Sequence, residues 1–376
     1  MDFSFNEEQT LLQDSVARFV QNDYPFETRQ KIVKEELGFS AQNWRTFAEL
    51  GWLGVPFPES EGGFGGGAIE SMILMEQFGM GLVVEPYLPT VVLAGGAIRH
   101  GGNDAQREAY LPGIIDGSVQ GALAFAEPQG RFNLADLVTT ARREGDDWVL
   151  DGYKAVVLNG PAADVLVVSA RTAGGQRDAD GVSLFLVPGD AAGIERRDYP
   201  TVDGLRASEI TLRGVRVGGD ALLGDEGRGL GLLERVVDEG TLAVGAEAVG
   251  AMEVLYKATV EYTKTREQFG QPIGKFQVLQ HRMVDMFMEH EQAKSLMFMA
   301  AMRMDEGYDD EAKKAVSALK AQVGKAGRFV GQSAIQLHGG MGMTDELNVG
   351  HYFKRLTTID TLFGNVDFHL RRFGAL

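Results

Sequence analysis

Two segments in the last third of the chain carry residue types suited to a phosphorylated ligand. The first, residues 265–273 (TREQFGQPI), places Arg266 ahead of Phe269 and Gly270. A guanidinium offers a planar fork of donors that matches a pyrophosphate. The ring of Phe269 could lie against an adenine or a flavin. Taken alone, an arginine before a turn fits a solvated helix cap equally well.

The second segment, residues 336–344 (QLHGGMGMT), combines an amide side chain with three glycines. Glycine lets backbone N–H groups approach an anion closely, because it has no side chain to keep the anion away. The amide of Gln336 adds a donor and an acceptor. Neither segment alone identifies the ligand.

Other kinds of chemistry find little support in the sequence. The glycine-rich residues 224–229 (GDEGRG) do not match the dinucleotide-binding pattern G-x-G-x-x-G and predict a turn between a strand and a helix. No two of the six histidines lie four residues apart, so no metal site is predicted. The chain has no cysteine, which excludes disulfides and thiolate nucleophiles.

Length and composition predict a multidomain globular protein. The 376 residues are enough for about two or three domains. The 36 Lys and Arg residues against 53 Asp and Glu give a net charge of −17, which disfavours nucleic acid as a partner. The start of the chain resembles no targeting peptide, and no apolar run reaches the length of a membrane span. A cytoplasmic location is therefore expected.

The patterning of apolar residues divides the chain into three parts. The first third follows helical spacing, with a loop over residues 58–67, and the middle contains short β-branched runs separated by turns. The expected fold class is α+β, with a helical domain, an antiparallel β-sandwich or barrel, and a four-helix bundle. The predicted domains are residues 1–120, 121–225 and 226–376, and the predicted bundle helices are residues 230–265, 277–305, 310–337 and 346–361.

Five ordered motifs together resemble the acyl-CoA dehydrogenase family along the whole chain. Besides the two segments above, the chain contains the following motifs at residues 58–63 (PESEGG), 108–112 (EAYLP) and 126–128 (AEP). The resemblance implies an FAD enzyme that oxidises an acyl-CoA. In this family a carboxylate removes the α-proton while the flavin N5 takes a hydride from the β-carbon, and electron-transfer flavoprotein accepts the electrons.

The resemblance also implies where FAD binds. The flavin ring lies in the β domain of one subunit, and the neighbouring subunit holds the ADP half. The residues that match the ADP motifs are Arg266, Gln268, Phe269, Gln336, Gly339 and Gly340.

The β-domain motifs depart from the family pattern. Ala126 replaces a threonine whose hydroxyl bonds the flavin, and Arg131 and Phe132 replace a serine and an aspartate. Val156 stands where the family has the tryptophan that covers the ring, and Leu158 replaces a second hydroxyl. Each unmet hydrogen bond costs on the order of 1–3 kcal/mol, so these changes predict a weakened flavin pocket.

The usual catalytic base is also replaced. Phe363 occupies the position of the family's most common catalytic glutamate, and the second known position aligns with Gly240, next to Glu239. Glu247 lies two helical turns after Gly240 on an apolar stripe, where a carboxylate could act as the base.

The alternative for Glu247 is a structural carboxylate paired with a buried cation such as Arg206. Asp360 and Asp367, near the usual base position, are further candidates for the base. Both could instead cap a helix or form an ion pair.

These departures, together with residues 362–369 (LFGNVDFH), resemble the small subunits of heteromeric bacterial acyl-CoA dehydrogenases of the pimeloyl-CoA and steroid side-chain types. The resemblance implies a heterotetramer with a larger paralogous subunit, acting on a bulky or dicarboxylic acyl-CoA. One alternative is a self-sufficient homotetramer with Glu247 as the base. Others are a flavin monooxygenase or nitroalkane oxidase on the same fold, and a structural subunit that does not touch flavin.

Overall fold

The computed structural model describes residues 4–376 and begins with helices, as the sequence predicts. Asn6 and Asn103 start two of them through capping boxes with Gln9 and Gln106, in which each side chain bonds the backbone N–H of the other residue. A buried π-helix, Leu88–Gly95, precedes α5. The helices are α1 (Glu7–Asn22), α2 (Phe26–Ile32), α3 (Ala41–Glu49), α4 (Ala68–Gly81), α5 (Gly96–Gly101) and α6 (Asp104–Ile115).

Helix α6 continues through Pro112 to Ile115. Proline removes one backbone donor and can stay in a helix when its neighbours compensate. Here the carbonyl of Pro112 accepts the N–H of Asp116 at 2.9 Å, which closes the last turn. The predicted loop over residues 58–67 contains only a short 3-10 turn, Glu59–Glu61.

The middle of the chain forms an eight-stranded sheet, which confirms the predicted β domain. Its strand order is β6-β7-β3-β2-β4-β5-β8, and β1 pairs with β4. The pairing is mostly antiparallel, but β1 runs parallel to β4, which sequence spacing did not reveal. The strands are β1 (Gly121–Ala124), β2 (Thr140–Glu144), β3 (Asp147–Leu158), β4 (Val165–Arg171), β5 (Val182–Pro188), β6 (Ile194–Pro200), β7 (Arg206–Val217) and β8 (Leu222–Leu223).

One face of the sheet builds a continuous apolar core. Alternate residues of β3 and β4, such as Leu150 and Leu166, point into it, as expected for strands with one buried face. The ring of Trp148 meets Phe185 edge to face at 5.2 Å between centroids. This core fixes the strands from which the 126–139 loop and the 156–159 segment extend.

The last part of the chain is a helical bundle, and all four predicted helices are confirmed. The fifth, α11, was not predicted; the Asn365 side chain caps it by accepting the N–H of Phe368. Helix α9 packs against α8, α10 and α11. A Cβ at Gly324 would overlap the Asp360 carboxylate, so glycine lets α9 and α10 approach closely. The helices are α7 (Gly229–Thr265), α8 (Gln277–Glu306), α9 (Asp310–His338), α10 (Val349–Thr361) and α11 (Val366–Ala375).

The chain forms two compact units. The bundle unit comprises Met1–Lys31, Gly67–Val83 and Thr241–Leu376, and the sheet unit comprises Ile32–Gly66 and Val84–Gly240. The three domain ranges expected from the sequence remain a prediction. In residues 4–376, none of the helices combines the length and the apolar character that crossing a membrane requires.

Candidate functional site

The Arg266 segment is a small β-hairpin that follows the end of α7. Strands β9 (Glu267–Gln268) and β10 (Gln271–Pro272) pair antiparallel, and Phe269 and Gly270 form the turn between them. Both turn residues have positive φ, 55° and 78°. This is the pattern of a type I′ turn, in which asparagine or glycine is usual and phenylalanine is strained. Strain of this kind is found mainly at functional positions.

The hairpin presents its side chains to solvent. The Phe269 ring is 92% exposed. The Gln268 amide bonds only the neighbouring carbonyl of Glu267, and the Arg266 guanidinium forms no hydrogen bond or ion pair with any residue of the described range 4–376. An exposed aromatic ring three residues from an unpaired guanidinium suits a ligand that carries a planar ring and a pyrophosphate.

The second predicted segment lies at the end of α9. The helix ends at His338, and Gly339 takes φ +60°, a conformation that favours glycine. Gly340 has ordinary φ, and a Cβ built on it would meet no atom within 4 Å. The fold itself therefore does not require glycine at 340, which fits a backbone that must stay open to a ligand. Gln336 is exposed on the last turn of the helix.

The structure brings the two segments together. Tyr262, one turn before Arg266 on α7, stacks on the His338 ring with 4.3 Å between centroids and 27° between planes. The Arg266 N–H also bonds the carbonyl of Tyr262 at 2.9 Å. The hairpin therefore starts close to the point where the Gly339–Gly340 backbone leaves α9. The assignment of these residues to the ADP half of FAD stays a prediction.

The sheet unit carries the residues of the predicted flavin pocket. Val156 lies in an irregularity of β3 with φ +51° and is 47% exposed. A positive φ is a genuine outlier for a β-branched residue. The Asn159 amide is already bonded to Gln120 at 3.0 Å and is buried. The side chains of Val156 and Leu158 offer no hydrogen-bonding group to a bound ring.

A buried ion pair that the sequence did not reveal supports this part of the sheet unit. The Lys154 ammonium lies 2.7 Å from the Glu127 carboxylate, and both side chains are almost fully buried. Glu127 also accepts the N–H groups of Val138 and Thr139, which ties down the 126–139 loop. Burial lowers the pKa of Lys154 to about 8, although Glu127 opposes the shift. Glu127 and Lys154 are 27 residues apart, and no local sequence pattern indicates that they pair.

Replacing Val156 with glycine is expected to stabilise the protein by about 1 kcal/mol. Glycine adopts positive φ without the steric cost, which is roughly 1–3 kcal/mol for other residues and outweighs the added entropy of the unfolded chain. Urea unfolding would measure the change. Val138, also exposed but with ordinary φ, is the matched control, and Val138→Gly should lower stability. A loss in both variants would contradict the assignment of strain to residue 156.

The segment that replaces the usual base is firmly held inside the bundle unit. Phe363 has φ +58°, and its carbonyl lies 3.1 Å from Nε2 of His369. The buried Lys320 ammonium donates to the carbonyls of Gly364 at 2.5 Å and Asp360 at 3.2 Å. Position 363 itself carries no carboxylate, and the backbone around it is fixed by these bonds.

Glu247, the predicted base, lies in a buried two-point ion pair. Its carboxylate oxygens accept from Nε and Nη2 of Arg355, both at 2.6 Å. The sequence had named Arg206 as a possible partner, which is wrong. Arg206 instead donates to the backbone carbonyls of Val33, Glu35 and Glu36. Arg355 is 108 residues from Glu247, so sequence spacing could not identify the contact.

Glu239, next to the second base position, is paired as well. It lies 2.7 Å from Nε2 of His100 and 3.1 Å from Arg99 on α5. Burial raises the pKa of Glu239, but the His100 hydrogen bond and the Arg99 charge outweigh it and hold that pKa below its ordinary value. A carboxylate stabilised in its charged form is a weak proton acceptor.

Of the two remaining base candidates, one forms an ion pair and the other lies at the start of a helix. Asp360 pairs with Arg328 at 3.0 Å, and Asp367 is exposed in the first turn of α11, where a carboxylate stabilises the helix dipole. Across residues 4–376, no group of three or more His, Asp or Glu side chains is placed to hold a metal ion.

Comparisons with known proteins match the whole chain. Family models of the acyl-CoA dehydrogenase N-terminal, middle and C-terminal domains match residues 6–118, 122–215 and 227–375. A curated relative, the probable acyl-CoA dehydrogenase YngJ of Bacillus subtilis, is 30% identical over 354 residues, which cover 93% of this chain and 92% of that protein.

Two solved structures are similar over nearly their full length. A variant of the Tcur3481–Tcur3483 steroid ACAD has 32% identity and a TM-score of 0.88, covering 98% of this chain and 97% of that one. The ChsE4–ChsE5 complex from Mycobacterium tuberculosis has 27% identity and a TM-score of 0.91, covering 100% and 98%. This chain therefore belongs to the acyl-CoA dehydrogenase family of FAD-dependent oxidoreductases, which dehydrogenate acyl-CoA thioesters.

Proposed function

We propose that this chain is the small subunit of a heterotetrameric acyl-CoA dehydrogenase and shares FAD with a larger paralogous subunit. The observation that carries the proposal is the contrast between the two halves of the FAD site. The ADP motifs are complete and open to a ligand, with an unpaired Arg266 and an exposed Phe269. The predicted ring pocket has apolar side chains at Val156 and Leu158, and Phe363 stands in place of the base.

In this proposal the residues of the chain bind and orient rather than react. The Arg266 guanidinium binds the pyrophosphate, the Phe269 ring packs on a flat face of the nucleotide, and the backbone at Gly339 and Gly340 approaches the phosphates. FAD, when bound, accepts the hydride equivalent from the acyl β-carbon. The proton acceptor belongs to the larger subunit.

The proposed partners follow from the family and from two similar structures, Tcur3481–Tcur3483 and the ChsE4–ChsE5 complex, each named for two proteins. The substrate is an acyl-CoA with a bulky or dicarboxylic acyl group, and electron-transfer flavoprotein accepts the electrons. The cytoplasm is the proposed location. One similar structure is named a steroid ACAD, which supports testing an acyl-CoA with a bulky acyl group first.

For Glu247 we propose the structural role. A general base must reach the substrate, and the Glu247 carboxylate is only 5% exposed with both oxygens bonded to the buried Arg355. Its assignment as the base stays a prediction that belongs to the alternative, a self-sufficient homotetramer.

The FAD content per chain tests the proposal. Purified alone, the protein is expected to contain far less than one FAD per chain and to be inactive on acyl-CoA. Together with the larger subunit it should gain bound FAD and activity, and Arg266→Ala in that complex should lower the FAD content. Full flavin occupancy of the isolated chain, with turnover as fast as that of any mixture, would disprove the small-subunit assignment.

A further inference from the structure

We infer that the Tyr262–His338 ring stack is a positioning element that sets the ADP-binding segments relative to each other. The inference rests on the proposed function, because it concerns the ADP side of the same FAD site. Neither ring belongs to the predicted set of ADP-binding residues. Both lie directly beside that set, at the only ring contact described between α7 and α9 within residues 4–376.

The two rings have a geometry that fixes both partners. The centroids are 4.3 Å apart with planes inclined by 27°, a stacked arrangement. Tyr262 also donates its hydroxyl to the backbone carbonyl of His338 at 3.4 Å. That carbonyl belongs to the last residue of α9, so the contact reaches the backbone just before Gly339.

The His338 ring cannot rotate freely in this position. Its Nδ1 lies 2.9 Å from the carbonyl of Ala334, one helical turn earlier, and a carbonyl only accepts, so Nδ1 carries the proton. Burial lowers the pKa of His338, which keeps the ring uncharged near neutral pH. The imidazole is therefore a fixed, neutral surface against which Tyr262 packs.

On the other side, Tyr262 is bound into the start of the hairpin. Its carbonyl accepts the Arg266 N–H at 2.9 Å, and the Arg266 carbonyl accepts the Ile273 N–H at 2.8 Å, which closes the hairpin. A shift of the Tyr262 ring would therefore move Arg266 relative to the Gly339 backbone. Binding a pyrophosphate between them requires both groups to be placed in advance.

The chain offers a matched control on the same helix. Tyr256 also contacts a histidine of another helix, His290 on α8, with 5.1 Å between centroids. It lies six residues before Tyr262 and is not joined to either ADP segment by any hydrogen bond described for residues 4–376. Tyr256→Leu removes the same atoms together with ring contacts to His290 and Phe287.

The experiment is a calorimetric titration of the flavin-free, full-length chain with ADP. The melting temperature of each variant is measured as well. Tyr262→Leu is expected to weaken ADP binding about five-fold, as loss of an aromatic pair implies. Tyr262→Phe keeps the ring, so its ADP affinity should stay within about two-fold of the wild type. The ADP affinity of Tyr256→Leu should also stay within about two-fold, even if its melting temperature falls as far as that of Tyr262→Leu.

The outcomes separate the inference from the proposed function. If Arg266→Ala weakens ADP binding but Tyr262→Leu does not, or if Tyr256→Leu weakens it equally, the positioning role is overturned and the ADP site stands. Loss of affinity in Tyr262→Phe equal to that in Tyr262→Leu would overturn the role of the stack as well. If Arg266→Ala binds ADP like the wild type, both the ADP site and the inference fail.

Discussion

Replacing Arg355 with methionine is expected to lower the free energy of unfolding by about 3–5 kcal/mol. The change removes one partner of a buried ion pair and leaves the Glu247 carboxylate without compensation. The two side chains are only 6% and 5% exposed, so water cannot take over the lost hydrogen bonds. Urea unfolding at neutral pH measures the loss.

The surroundings of Glu247 make relaxation difficult. A Cβ at Gly79 of α4 would overlap the backbone carbonyl of Glu247, so α4 and α7 are already in close contact. The control is Arg328→Met, which breaks the pair with Asp360 in the same bundle unit. Arg328 is 65% exposed, and its loss should cost no more than about 1 kcal/mol. Equal losses in the two variants would contradict the assignment of a buried pair.

Two further variants separate structure from catalysis at this position. Glu247→Leu combined with Arg355→Met should recover much of the stability lost in the single variant, because an apolar pair replaces two charges. Glu247→Gln in the assembled, flavin-loaded enzyme should keep turnover at a similar rate. Loss of turnover with full FAD content would restore Glu247 as the base.

Acidification from pH 6.5 to about pH 4.5 is expected to destabilise the protein through His369 by about 2 kcal/mol. Burial, with a smaller effect from the Lys320 charge, lowers the pKa of His369 from 6.5 to about 3. Below pH 6.5 the His369 imidazole is protonated in the unfolded chain but stays neutral in the folded protein. The free energy of unfolding therefore falls with falling pH until the pH reaches the folded-state pKa.

The contribution of His369 is isolated by comparing pH slopes between variants. The pH dependence is measured by urea unfolding of the wild type, His369→Gln and His281→Gln at both pH values. His369→Gln should lower stability at pH 6.5, because it disturbs the contact with the Phe363 carbonyl, but it should reduce the loss on acidification. His281 is exposed and serves as the control. An unchanged slope in His369→Gln would contradict the prediction.

Local patterns in the sequence were sufficient to predict the four long bundle helices, while the ADP-binding role of the two motifs stays a prediction. The four long bundle helices follow from apolar spacing that continues over many turns. Glycines in the Arg266 and Gly339 segments indicate directly that the helices end there. The structure adds that the first segment is a hairpin and the second a helix end. The sequence could not predict the positive φ of Phe269, because that angle depends on the turn that the paired strands impose.

The sequence by itself determined the family and the order of helical and sheet regions, since each motif and each helix depends on residues close together in the chain. Only the tertiary structure decided the partners of the buried charges. Glu247 meets Arg355 and Glu127 meets Lys154 across 108 and 27 residues. A carboxylate on an apolar helix face can be a base or half of an ion pair, and the difference depends on which cation folding brings within hydrogen-bond distance.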